Sequence, residues 1–189
     1  MSKLPSLNDP CGEHFTYRDF IHCGETWHRL ELEAPGSVPN LPVQEETYAA
    51  MREICANILD PVTRAFEYPI ELTYAFASQA LTRHIQERVS PTRDQHASHE
   101  LNTRGNPVCS RLGIAVDFRI RGISSGDVAL FVVEGTEFDR LYYYGEDRPL
   151  HVSVGPEHKG QIVQMLPGAS GKLVPRVTAR EKFIELMGG

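Results

Sequence analysis

Leu112-Gly113-Ile114-Ala115-Val116-Asp117-Phe118 alternates strictly in character. Leu112, Ile114, Val116 and Phe118 share one parity, and Gly113, Ala115, Asp117 and Arg119 share the other. With its β-branched residues the run reads as a strand. Asp117 is then on the face opposite the large apolar side chains. Gly113 and Ala115 on that face are small, so something can approach the backbone there. Arg148-Pro149-Leu150-His151-Val152-Ser153-Val154-Gly155 follows a similar pattern, with Leu150 and Val152 on one side and His151 and Ser153 on the other. Asp94-Gln95-His96-Ala97-Ser98-His99 lies upstream in a loop.

His96, Asp117 and His151 form a candidate metal site. Two neutral imidazoles and one carboxylate are a three-ligand set suited to catalytic zinc, which keeps a further position for water or substrate. Zinc so held lowers the pKa of its water to roughly 7 and polarises a carbonyl. His99 is the rival to His96. The plainer reading is a strand-end Asp, a surface loop histidine and a half-buried histidine.

These motifs together resemble the zinc D-Ala-D-Ala carboxypeptidases and L-alanoyl-D-glutamate endopeptidases, which share a fold with the Hedgehog signalling domain. That family carries S-x-H-x-x-G-x-A-x-D and a second His on a later strand. Gln95-His96 resembles the start of the motif, Gly113 to Phe118 its end, and His151-Val152-Ser153 the later H-V-S. Leu59-Asp60-Pro61-Val62, Tyr68-Pro69-Ile70 and Leu72-Thr73 resemble an upstream segment, so the likeness spans about residues 15–155. It implies a Zn2+ cofactor on His96, Asp117 and His151, hydrolysis of a peptide bond, and a small peptide or cell-wall fragment as substrate. It also implies a single α+β domain, with helices packed on a mostly antiparallel sheet.

The chain departs from that pattern in three places. His96 and Asp117 stand 21 positions apart, so residues 100–111 read as an insertion. The family's substrate-gripping Arg falls on Ala77, and Arg111 or Arg119 is the available replacement. The family's catalytic Glu has no direct counterpart, because Arg148 occupies its place; Glu146 and Asp147 are the available general bases. Two alternatives follow: a metal-binding or recognition module that has lost the chemistry, or a metal hydrolase acting on a phosphoester near Arg104, Arg111, Arg119 and Arg121.

The 189 residues suit one domain with a sizeable core. A net charge of −6 opposes non-specific nucleic-acid binding. No apolar run approaches 18 residues, so no membrane span is expected. The first residues lack the apolar core of a signal peptide, so cytoplasmic residence is expected. None of the four cysteines forms a C-x-x-C pair, and free thiols are expected.

Residues 1–14 read as an irregular arm and 15–21 as a short helix with a capping box from Thr16 to Asp19. The clearest helix is 45–59, with Tyr48, Met51, Cys55, Ile58 and Leu59 on one face. Asp60-Pro61 reads as the N-cap and first position of another helix. A strand is expected at 70–76 and a helix at 78–89. Strands at about 112–120, 127–133, 139–144 and 149–154 read as an antiparallel meander. Beyond 155, only a last helix opened by a capping box at Thr178 to Glu181 is expected.

Overall fold

A computed structural model of the chain describes residues 4–85, 92–169 and 171–188. Two short helices open it, α1 (Tyr17–Ile21) and α2 (Glu25–Glu33). α3 (Glu45–Ile54) runs through a π turn, Cys55–Leu59, into α4 (Asp60–Phe66). Then come β1 (Ile70–Tyr74), α5 (Gln79–Thr82), a 3-10 turn (Gln95–Ala97), β2 (Ile114–Ile120) and α6 (Ser125–Gly135). The chain closes with β3 (Arg140–Tyr143), β4 (Leu150–Val154), β5 (Gln161–Pro167), β6 (Leu173–Thr178) and α7 (Arg180–Met187).

The architecture is α+β. One six-stranded sheet runs in the order β1-β2-β4-β3-β5-β6. It is mixed: β3 and β5 are parallel, and the other neighbours are antiparallel. The alternation in β2 and β4 has the consequence expected of it. Ile114, Val116 and Phe118 lie directly across from Val154, Val152 and Leu150, and all six are buried. α3 packs on both strands, and α6 packs on β4. The opposite face carries Asp117 and His151, directly across from each other.

The helix over 45–59 forms as read, and its five apolar residues are all buried. Asp60-Pro61 is not a restart, however. Leu59 and Asp60 both keep right-handed helical dihedrals. Pro61 lacks an N–H and its ring crowds the carbonyl one turn back, and the helix widens into the π turn just before it. Asp60 instead accepts a 3.0 Å hydrogen bond from Glu13 N, pinning the N-terminal arm. At Thr16 the backbone N–H donates to the Asp19 carboxylate at 2.7 Å, as a capping box requires.

Further expectations are corrected. Residues 127–133 are not a strand but the body of α6. Ser124 Oγ caps its first turn by accepting from Gly126 N at 3.0 Å, and Val128, Ala129, Val132 and Val133 form a buried helical stripe. A continuous apolar run lacks the period that separates buried helix from buried strand. The meander is consequently broken, and β2 pairs with β4 rather than with its successor in the chain. The region beyond 155 is part of the sheet through β5 and β6, and α7 buries Phe183 completely. Its N-cap is Ala179 rather than Thr178, whose hydroxyl donates to Gln164 Oε1 at 2.9 Å. The helix expected at 78–89 is limited to α5 within the described residues; positions 86–89 lie outside them.

Gly113 is where the fold leaves no room for a side chain. Its φ is +68°, and a Cβ there would sit 1.9 Å from the carbonyl oxygen of Val154. Gly122 has φ +80° with nothing within 4 Å of the same position. Gly113→Ala is therefore expected to cost about 3 kcal/mol or more, strain plus clash, while Gly122→Ala costs only the left-handed strain, about 1–2 kcal/mol. Urea melts of both variants measure the difference; equal losses would contradict the close approach of β4 to Gly113.

Candidate metal centre

Neighbouring strands place one row of side chains across the sheet: Tyr74 beside Asp117, Asp117 beside His151, and His151 beside Tyr142. His151 Nδ1 lies 2.6 Å from Asp117 Oδ1. The 3-10 turn lowers His96 onto the same row, with its Nε2 3.5 Å from that oxygen. The three donor atoms all lie within 4.8 Å of one another. Among the described residues, this is the group of His, Cys, Asp and Glu side chains spaced to hold a metal ion.

Several contacts fix His96. Its backbone N–H donates to Asp94 Oδ1 at 3.1 Å, and its carbonyl accepts from Ala77 N at 3.0 Å. Nδ1 lies 2.7 Å from the carbonyl oxygen of Ala75. A carbonyl only accepts, so Nδ1 must carry the hydrogen. Nε2 then faces the Asp117 carboxylate, also an acceptor, in a buried position. A cation has to lie on that side of the ring, either a proton on Nε2 or a metal between Nε2 and Oδ1. An N–H held by a backbone carbonyl is the usual way a ligating imidazole is oriented. The donor set thus fits a divalent metal.

The charges agree with the geometry. Burial works to push the His96 imidazole pKa down, but the carboxylates of Asp117 and Asp94 outweigh it and hold it above its ordinary value. Burial works to raise the Asp117 carboxyl, but the imidazoles of His151 and His96 outweigh it and hold the carboxyl well below the usual range.

Aromatic rings wall the site. The Tyr74 ring lies 4.0 Å from that of His96, and Tyr142 meets His151 edge-on at 5.1 Å. Burial, helped by the charge of Asp117, pushes the Tyr144 phenol up to about 12. Sequence reading assigned no role to Tyr74 or Asp94. The register with Asp117 and the position two residues before His96 were the signals available.

His99 is excluded as the third ligand by its own bond: Nε2 accepts from Gly113 N at 3.1 Å, which ties the loop to the start of β2. The small residues on the polar face of β2 thus admit the chain's own loop. Arg111 reaches the edge of the site, where one guanidinium nitrogen donates to Tyr142 Oη at 3.4 Å and to the carbonyl of Arg93 at 3.2 Å. Arg119 pairs instead with Glu71, 2.8 Å away and also bound by Arg121, and the two arginines hold the Glu71 carboxyl down at about 2. Glu146 and Asp147 are exposed in the β3–β4 turn. They line a cleft of about 540 Å3 with Arg119, Arg121, Ser124 and Arg148, and the walls of that cleft include none of the triad. Their charge acts on Tyr143, which packs on Phe183 on the other face of the sheet. Cys109 is buried, and burial pushes its thiol pKa up, so it is a poor nucleophile. No helix among the described residues is long and apolar enough to cross a membrane.

Comparisons of the chain with family models, with curated proteins and with solved structures find no match.

The two shifts carry opposite pH signs. His96, with its folded value raised, contributes stability that is complete below the unfolded imidazole value of about 6.5 and is lost as pH rises through the folded value. Asp117, with its folded value depressed, contributes stability that is present above the unfolded carboxylate value of about 3.9 and is lost as pH falls through the folded one. The metal-free chain therefore holds both contributions between about pH 4 and 6.5. In chelator, the melting temperature of the wild type relative to His96→Gln should fall between about pH 6 and pH 8.5. A constant difference across that range would contradict a proton on His96 Nε2.

Proposed function

We propose that the chain is a zinc-dependent hydrolase whose metal is held by His96, Asp117 and His151. The observation that carries this is the convergence of three donor atoms within 4.8 Å, with the ring of His96 bounded by acceptors at both nitrogens. Zinc on three protein ligands supplies a bound water of pKa roughly 7 and a Lewis acid for a carbonyl. The sequence resemblance to the D-Ala-D-Ala carboxypeptidases supports a small peptide or cell-wall fragment as substrate.

The chain's own residues then have distinct tasks. His96 is oriented by Ala75 and Asp94, Tyr74 and Tyr142 shield the site, and Arg111 is the cation placed to meet a substrate carboxylate. Arg119 is occupied by Glu71 and is the weaker choice. Ala77, which stands where the family has its gripping Arg, is buried, and its N–H serves the loop of His96. This last fact favours a second reading, in which the chain binds metal and recognises a ligand without hydrolysing it. Two imidazoles and a carboxylate also suit ferrous iron, so the identity of the metal is part of the test.

Metal analysis of purified protein should find about one zinc per chain in the wild type and none in Asp117→Ala or His151→Ala. Iron in place of zinc, or zinc retained by both variants, would overturn the assignment. With a D-Ala-D-Ala peptide, Arg111→Ala should raise KM roughly tenfold with little change in kcat. Glu146→Gln with Asp147→Asn should leave kcat within about threefold, whereas loss of a working general base would cost about 10²–10⁴. Stoichiometric zinc without hydrolysis of any such peptide would favour the second reading.

A further inference from the structure

His96 reaches the metal row from a loop, and a loop alone does not hold a ligand to the tolerance a metal needs. The residue before it supplies what is missing. Gln95 is 2% exposed, and every polar atom of its side chain is engaged. Nε2 donates to the carbonyls of Leu112 at 2.9 Å and Val154 at 3.3 Å, and to Asp139 Oδ2 at 3.2 Å. Oε1 accepts from Ser153 Oγ at 3.0 Å and lies 3.5 Å from a guanidinium nitrogen of Arg140.

Two of these partners, Ser153 and Arg140, belong to the next row of the same sheet. Asp117, His151 and Tyr142 stand side by side in one row, and Ala115, Ser153 and Arg140 stand side by side two residues along each strand. Gln95 seats on the second row as its neighbour His96 seats on the first. The seat is itself rigid. Asp139 is fully buried, pairs with the buried Arg140 and accepts from Lys159 N at 3.1 Å, and Arg140 also pairs with Glu157.

We infer that Gln95 is the positioning residue of the metal centre: locked by Ser153, Asp139 and Arg140, it fixes the 3-10 turn so that His96 Nε2 meets Asp117 and His151 without reorganising. The inference rests on the reading of the triad as a metal site. It assigns the buried Arg140–Asp139 pair a task at a centre that neither residue touches. It also accounts for a chain able to carry residues 100–111 between its first two ligands: the loop is anchored on both sides of the turn, by Gln95 before His96 and by His99 after it.

The test uses the full chain stripped of metal and reloaded with zinc or cobalt. Gln95→Leu keeps the bulk and removes all five contacts. It should weaken zinc binding by roughly 10–100-fold in competition with a chromophoric chelator, and it should alter the visible absorption of the cobalt form, which reports ligand geometry. Phe183→Leu, a core change behind the sheet, should lower the melting temperature without moving either readout. Should Gln95→Leu fail to fold, Ser153→Ala removes one hydroxyl and should shift both readouts in the same direction, less far. Unchanged affinity and spectrum in the Gln95→Leu protein, or in Ser153→Ala where that stands in for it, would overturn the inference while leaving the metal site intact. A wild type that takes up neither metal would overturn both.

Discussion

Asp117 stands directly opposite His151 because β2 and β4 pair in one register, and the rest of the site depends on that register. A slip of one residue would turn every side chain of β4 to the other face. His151 would then enter the core, and Ile114, Val116 and Phe118 would lose their partners. The apolar face is what prevents it. Six buried side chains, three on each strand, are each worth about 1.5–3 kcal/mol. A hydrogen bond nets only about 0.5–1.5 kcal/mol. The polar row is held in place by the hydrophobic one behind it, so it can gather two imidazoles and a carboxylate without paying for the sheet's geometry.

That division of labour extends to the loop. His96 comes from an irregular segment, yet it is constrained almost as closely as a strand residue. Asp94 caps the turn, Ser98 donates to the carbonyl of Gly113 at 2.6 Å, and His99 accepts from the N–H of the same glycine. Gly113 is thus clamped on both its polar groups by the loop and pressed from behind by β4. The positive φ that glycine tolerates is what lets the chain turn there into β2 with the loop folded over it.

The alternation at 112–118 and 149–154 made the two strands and their polar face legible, while His96, Asp117 and His151 stood out through the resemblance to the zinc carboxypeptidases, since their spacing alone is a weak signal. Period 2 over β-branched residues is a strong local signal. The helix at 125–135 was misread because Val128 to Val133 is an uninterrupted apolar run, and periodicity carries no information when both faces are apolar. The strands beyond 155 were missed for a related reason: β6 is an edge strand with mostly exposed side chains and Pro175 in it, so it lacks the alternation that marks a half-buried strand. The roles of Gln95, Arg111 and the Glu146–Asp147 turn depend on partners dozens of residues away, which sequence spacing does not encode.

The account's central claim is that one metal ion joins His96, Asp117 and His151. Crystals grown with zinc and measured on both sides of the zinc absorption edge test this most directly. The account predicts one anomalous peak per chain, bonded to His96 Nε2, Asp117 Oδ1 and His151 Nδ1 at about 2.0–2.2 Å. A peak bonded elsewhere, or none at the triad with the three side chains still in contact, would contradict it and leave the triad as a hydrogen-bonded cluster.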